Sequence, residues 1–231
     1  MVNPGKAATR KPPKRKRDPD GTREAILEAG GKLLAKDGPE GLTVTRVAQL
    51  AGVNRGTAYQ HFQTREQLTE ATTAWVSNKL CLAVFGDPMV AASRRIGEID
   101  PRGVTEHLIA FSMENPELGR AWLFELLRSS HPASDPFWKL YKSKFDKFAK
   151  SELAQPGIDT ESHSVLVLVG AFLWPVWARA HAHSPAQRQK MAKRYSDEVL
   201  RLSLHGTMRP EKFRQLDAKL PKAKGGRLGG K

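Results

Sequence analysis

Residues 42–68 read LTVTRVAQLAGVNRGTAYQHFQTREQL, and this stretch decides the fold. Thr43 is placed to cap a short helix carrying Val44, Val47, Ala48 and Ala51, which Gly52 breaks. Asn54 caps a second helix containing Ala58, Tyr59 and Phe62, and Thr64 caps a third that runs to roughly Phe85. Two short helices joined by a tight turn are the geometry that sets the second of them into a DNA major groove. Ala48 and Ala51 are small enough for close approach, while Val47, Val53, Ala58 and Phe62 supply the apolar contacts that fix the crossing. An Asn54 side chain accepting a backbone N–H stabilises its helix by about 1 kcal/mol and leaves the helix start facing a phosphate. Charge follows the same division. Between Leu42 and Arg65 there are three Arg and no acid, whereas residues 22–41 hold three basic and four acidic residues.

Thr43, Val47-Ala48, Ala51-Gly52-Val53, Gly56-Thr57, Tyr59, His61-Phe62, Thr64-Arg65-Glu66 and Leu68 stand in a register that resembles the DNA-binding domain of the tetracycline-repressor-like (TetR) family. A preceding helix ending in Gly38 and the Gly41-Leu42-Thr43 lead-in agree, so the resemblance covers roughly residues 23–70. It implies that Thr43, Tyr59, His61 and Arg65, with the start of the Arg65 helix, hold backbone phosphate. It also implies that Arg55, Gly56 and Gln60 face base edges with Thr45 near the groove, and Asn54 and Thr57 belong to the same candidate set. Chemistry supports the division: Arg on guanine and Gln on adenine each discriminate by about 1–3 kcal/mol, while phosphate contacts position without specifying. One position departs from the family pattern. Ala58 stands where the family more often has Leu or Ile, which predicts a thinner apolar contact under the recognition helix.

Outward from this unit, the chain of 231 residues carries 38 Lys and Arg against 24 Asp and Glu, a net charge of +14, with mean hydropathy −0.50. The excess sits at the ends. Residues 1–21 hold seven basic and two acidic residues with four prolines, and residues 206–231 hold eight basic and two acidic. Between them, 22–205 balances 23 positive charges with 20 negative. Two basic tails on a nearly neutral body point to a polyanion. Residues 1–21 read as a disordered arm that tracks DNA and steepens the salt dependence of binding, and the KAKGGRLGGK end is equally unlikely to fold. Cys81 stands alone, which excludes an intrachain disulfide and a Cys-based metal site and fits a reducing cytoplasm; the family resemblance implies association with the bacterial nucleoid. The longest apolar stretch, Val165–Ala178 with Pro175 inside it, is shorter than the roughly 20 residues of a membrane span and predicts a buried helix. The scattered histidines offer no metal site, and no phosphate loop, nucleophile elbow or telling carboxylate pair supports catalysis. No cofactor, membrane partner or enzymatic activity is expected.

The period is helical throughout and the expected fold class is all-α: a three-helix DNA-binding domain over 22–68, a helical effector-binding and dimerisation domain over 69–205, and a basic tail over 206–231. Thr22 is the expected cap of the first helix and Gly38-Pro39 its end; further helices are expected near 88–98, 102–114, 116–130 and 135–154. The helices near 160–183 and 185–205 are the expected dimer surface, the first apolar nearly all round and the second with a Met191, Tyr195, Val199 and Leu202 stripe. Phe111, Met113, Trp122, Phe124, Trp138, Tyr141, Phe145, Phe172 and Trp174 are the candidate walls of an effector pocket. These expectations describe a homodimeric regulator, a repressor held on a palindromic operator and released by a small, largely apolar effector. Two alternatives remain open: a sequence-tolerant architectural protein coating DNA through its tails, and a regulator controlled by a protein partner.

Overall fold

The computed structural model describes residues 19–219, and among these the fold is all-α. The expected arm therefore lies outside the described residues except for 19–21, as does the end from Pro221. Helix α1 spans Pro19–Gly41, so Thr22 lies inside the helix rather than capping it. Gly38 interrupts α1 with φ 68° just before Pro39, where the sequence placed its end. Helices α2 (Val44–Ala51), α3 (Arg55–His61) and α4 (Arg65–Phe85) follow. Next come the short α5 (Pro88–Ser93), then α6 (Pro101–Glu114), α7 (Pro116–Arg128), α8 (Pro136–Ala149), α9 (Thr160–His181), α10 (Pro185–Gly206) and α11 (Arg214–Lys219). The expected 88–98 helix is split, with a 3₁₀ turn at Ile96–Glu98.

Two cores result. The smaller closes α1, α2 and α3 over Ile26, Leu33, Leu42, Val47, Ala58, Phe62 and Leu68. The larger packs α4 and α6 to α9 around Trp122, Phe137 and Phe172, each with essentially no exposed surface. Helix α1 joins them. Gly30 and Gly31 lie so close to α4 that a Cβ on Gly30 would sit 2.6 Å from Thr72 Oγ1, and one on Gly31 2.8 Å from the Trp75 ring. Trp75 Nε1 also donates to Glu24 at 2.6 Å. The helix-turn-helix unit is thereby keyed to one patch of α4.

Residues 206–219 depart from the expected tail. Met208 and Leu216 are buried with Leu200 and Leu204 of α10, with Phe148 and Phe213 packed against them. Gln155 N and Arg209 N pair with the carbonyls of Thr207 and Leu153. The chain thus folds to Leu216 at least, and its apolar side chains rather than its charges decide that.

Helix α9 runs through Pro175 uninterrupted and is long and apolar enough to cross a membrane by length and composition, but only a third of its most apolar window is buried. Within one chain the helix is therefore buried along one side only. Leu168, Ala171, Phe172, Pro175 and Ala178 face the core, while Leu166, Leu173, Val176 and Trp177 are exposed.

Candidate nucleic-acid interface

The caps that define the reading unit form as their residue types require. Thr43 Oγ1 accepts from Arg46 N at 3.3 Å, Asn54 Oδ1 from Gly56 N at 2.8 Å, and Thr64 Oγ1 from Gln67 N at 3.2 Å. The turn between α2 and α3 closes with Gly52 at φ 66°, ψ 25°, its N–H and that of Val53 reaching back to the carbonyls of Gln49 and Ala48. A left-handed residue at this point is inexpensive only for glycine. Ala58 is fully buried beneath α3, so the small side chain that departs from the family pattern is a packed contact.

On the outer face, Thr45, Asn54, Arg55, Gly56, Tyr59 and Gln60 are exposed, and Thr43, Thr57, His61 and Arg65 are half-buried. Tyr59 joins α2 to α3. Its phenol is held below the ordinary tyrosine value first by the Thr45 hydroxyl and then by the Arg55 guanidinium, whose carbon stands 5.5 Å over the Tyr59 ring. Thr45, Tyr59 and Arg55 therefore form one polar cluster on a surface whose sequence carries no acid from Leu42 to Arg65.

The other two arginines of that segment are already engaged. Arg46 pairs with Asp37 and donates to the Gly41 carbonyl. Arg65 donates from Nη2 to the Pro39 carbonyl and to Glu40, each at 2.8 Å. Both clamp the end of α1 beyond the Gly38 break, so Arg65 has a structural occupation beside the phosphate role implied for it. Phe62 is buried, with the Arg23 guanidinium 5.5 Å over its ring.

A cavity of about 150 Å³ lies far along the chain from this face, between α6, α8, α9, α10 and the segment after α10. Phe85 at the end of α4 lines it with Val104, Tyr141, Lys144, Phe145, Phe148, His163, Val167, Val199, Met208 and Phe213. Of the nine candidate pocket residues, only Tyr141 and Phe145 are there. Phe111, Trp122, Trp138 and Phe172 are buried in the larger core, and Met113 packs against it. Trp122 is locked by ring contacts to Phe137 at 5.5 Å and Phe172 at 5.1 Å and donates to Asp135 at 2.9 Å. Phe124 faces outward, and Trp174 stacks on Tyr195 at 4.6 Å. The bulky rings fill the core because three helices converge on them; the cavity opens where α8 continues past that point. Lys144 is the residue that sequence reasoning passed over, although it stands on the apolar stripe of α8 between Tyr141 and Phe148.

Leu166, Leu173, Val176 and Trp177 leave one side of α9 bare, and Phe124 and Leu127 of α7 are exposed as well. On α10 the expected stripe divides: Leu202 is exposed, Val199 turns into the cavity, and Ser196, Asp197, Leu200 and Leu204 are the buried positions.

Residues 26–72 match the family model of bacterial regulatory proteins, tetR family. Over 88 residues the chain is 33% identical to the HTH-type transcriptional regulator TtgR of Pseudomonas putida, covering 38% of this chain and 39% of TtgR. The match thus spans well under half the length of the curated relatives. The described fold resembles the TetR family protein CprB of S. coelicolor A3(2), with a TM-score of 0.52 at 18% identity over 85% of this chain and 95% of that one. It also resembles native NalD of Pseudomonas aeruginosa, the secondary repressor of the MexAB-OprM multidrug efflux pump, with a TM-score of 0.52 at 20% identity over 83% of this chain and 99% of that one. At these identities the likeness is one of fold.

Proposed function

We propose that this chain, whose residues 26–72 match the tetR family model, is a homodimeric transcriptional repressor of that family, cytoplasmic, held on a palindromic operator and released by a small effector. The observation that carries the reading is the Thr45–Tyr59–Arg55 cluster, exposed on a capped helix-turn-helix and free of acid. Arg55 and Gln60 read base edges; Thr43, Tyr59 and His61 hold phosphate and fix the register.

One such unit binds weakly, and specific readers pair across half-sites about 34–36 Å apart. The exposed Leu166, Leu173, Val176 and Trp177 of α9 supply a face on which a second copy packs. Effector enters the cavity that Phe85 lines. Because Phe85 ends α4, and Thr72 and Trp75 of the same helix lie against Gly30 and Gly31 of α1, a shift at the cavity is delivered to the reading unit. The effector acts to the extent that it binds the DNA-incompatible spacing more tightly.

Selection from a random duplex library at near-physiological salt tests this, run on the full chain and on residues 19–219. The expected result is one enriched palindrome common to both. Enrichment of nothing, with salt-sensitive binding that disappears on truncation, would replace this reading by that of an architectural DNA coat.

A further inference from the structure

Lys144 is more than nine-tenths buried, yet no carboxylate among the described residues forms an ion pair with it. Its Nζ donates to the Arg94 carbonyl at 3.2 Å, its one hydrogen bond among the described residues. An ammonium group has three donors, and a buried charge is ordinarily paired. The surrounding charge makes the deficit larger. Burial, and after it the positive charges of Lys147 and Arg94, hold Lys144 below the ordinary lysine value. The charge around Lys144 is therefore positive, which suits an anion.

The rest of the wall specifies what kind of anion. Phe145 stacks on His163 at 4.6 Å, Tyr141 stacks on Phe137 at 5.6 Å, and Phe148 and Val167 continue the apolar surface. Neither the Tyr141 hydroxyl nor the His163 ring makes a hydrogen bond to another described residue, so both polar groups are available along the same wall. Burial lowers the His163 imidazole, leaving it neutral at pH 7 and able to donate from one nitrogen. At about 150 Å³ the cavity has the size that accommodates a single benzene-like ring.

We infer that this cavity takes a small organic monocarboxylate with an apolar body of about one ring's size, its carboxylate on Lys144 and its body among Phe145, Phe148 and Val167. The inference deepens the effector reading proposed above by giving the ligand a charge, and it rests on that reading only for what binding does to DNA.

The test is calorimetric titration of the full chain, without DNA, with benzoate, phenylacetate and octanoate against neutral benzamide and benzyl alcohol. Acetate serves as the control for charge without a body. At least one of the three larger carboxylates should bind ten-fold or more tightly than the neutral probes, the range expected of a charge-assisted hydrogen bond, and acetate at about 10 mM should not displace it. Lys144→Met should bring that carboxylate to within about two-fold of the neutral probes. Should this variant not fold, the ratio between charged and neutral probes on the natural chain decides the question alone. Equal binding of neutral probes, displacement by acetate, retention of the preference in Lys144→Met, or no binding by any of the three carboxylates would each overturn the inference. Tight binding of a neutral probe would leave the effector reading standing. A carboxylate that binds but leaves operator occupancy unchanged would count against the effector reading and not against the site.

Discussion

Removing the Asp135 carboxylate should loosen the junction at which α4, α7 and α8 meet. Its Oδ1 caps α8 by accepting from Trp138 N at 2.9 Å and accepts the Ser77 hydroxyl of α4 at 2.8 Å. Its Oδ2 accepts Trp122 Nε1 of α7 at 2.9 Å. In Asp135→Ala the lost cap costs about 1 kcal/mol. Trp122 is fully buried, so its N–H has no water to turn to, and an orphaned buried donor costs about 1–3 kcal/mol. Ser77 also accepts from Phe137 N at 2.8 Å and is able to redirect its proton, so little is added for it. The total is about 2–4 kcal/mol, a large part of the roughly 5–15 kcal/mol that holds a domain folded, and a fall in Tm of about 4–16 °C for a chain of this size. Asp135→Asn keeps one acceptor and should lose about half as much. Urea unfolding followed by tryptophan fluorescence measures both. An Asp135→Ala chain within about 0.5 kcal/mol of the natural one, or an Asn variant as damaged as the Ala variant, would refute this account.

Arg55→Ala should flatten discrimination at one operator base pair by roughly 1–3 kcal/mol, read by binding to single-base operator variants; an equal loss at every sequence would make Arg55 a phosphate contact. Leu173→Glu with Trp177→Glu should shift the protein toward monomer in sedimentation while leaving its helical circular dichroism in place, because both side chains lie on the bare face of α9. Cys81 is 2% exposed and its thiol is pushed up to about 12 by burial and then by the Asp135 charge. It should therefore resist a disulfide reagent at pH 8 and react only in denaturant. Since its folded value lies above the unfolded one, its contribution to stability is complete below about pH 9 and is lost as pH rises toward 12.

How much of this was legible depended on the range of each signal. Thr43, Asn54 and Thr64 cap their helices with bonds spanning two or three residues, and such bonds are written locally in the sequence. The roles of Arg46 and Arg65 were not. Counting three arginines and no acid between Leu42 and Arg65 gives a basic face, yet Asp37 and Glu40 reach two of the three once the chain breaks helix at Gly38. The acids sit outside any window drawn around the motif. The reading of 206–231 as a tail parts from the structure over 206–219 for the opposite reason. Net charge dominated the composition, while Met208, Phe213 and Leu216, too widely spaced to look periodic, were enough to fold the segment back on α10.

The pocket was the hardest to read because a core wall and a cavity wall ask for the same side chains at the same spacing. Trp122, Trp138, Phe172 and Tyr141 differ only in whether another helix arrives to cover them, and that is set by chain segments far away in sequence. The informative residue was the one that broke the pattern. A lysine on the apolar stripe of α8 has no reason to be there as packing, and it marks the cavity better than any aromatic. The same helix geometry ties that cavity to the helix-turn-helix. Helix α4 has 21 residues, a rod of about 30 Å at roughly 1.5 Å per residue. Phe85 at one end lines the cavity and Arg65 at the other clamps α1. Ser77, tied through Asp135 to α7 and α8, lies between them. A rod held near its middle moves its ends in opposite senses, so a ligand that shifts Phe85 by a small distance displaces Arg65 by a comparable one. In a dimer joined through α9 the two displacements act on a single quantity, the separation of the two α3 helices.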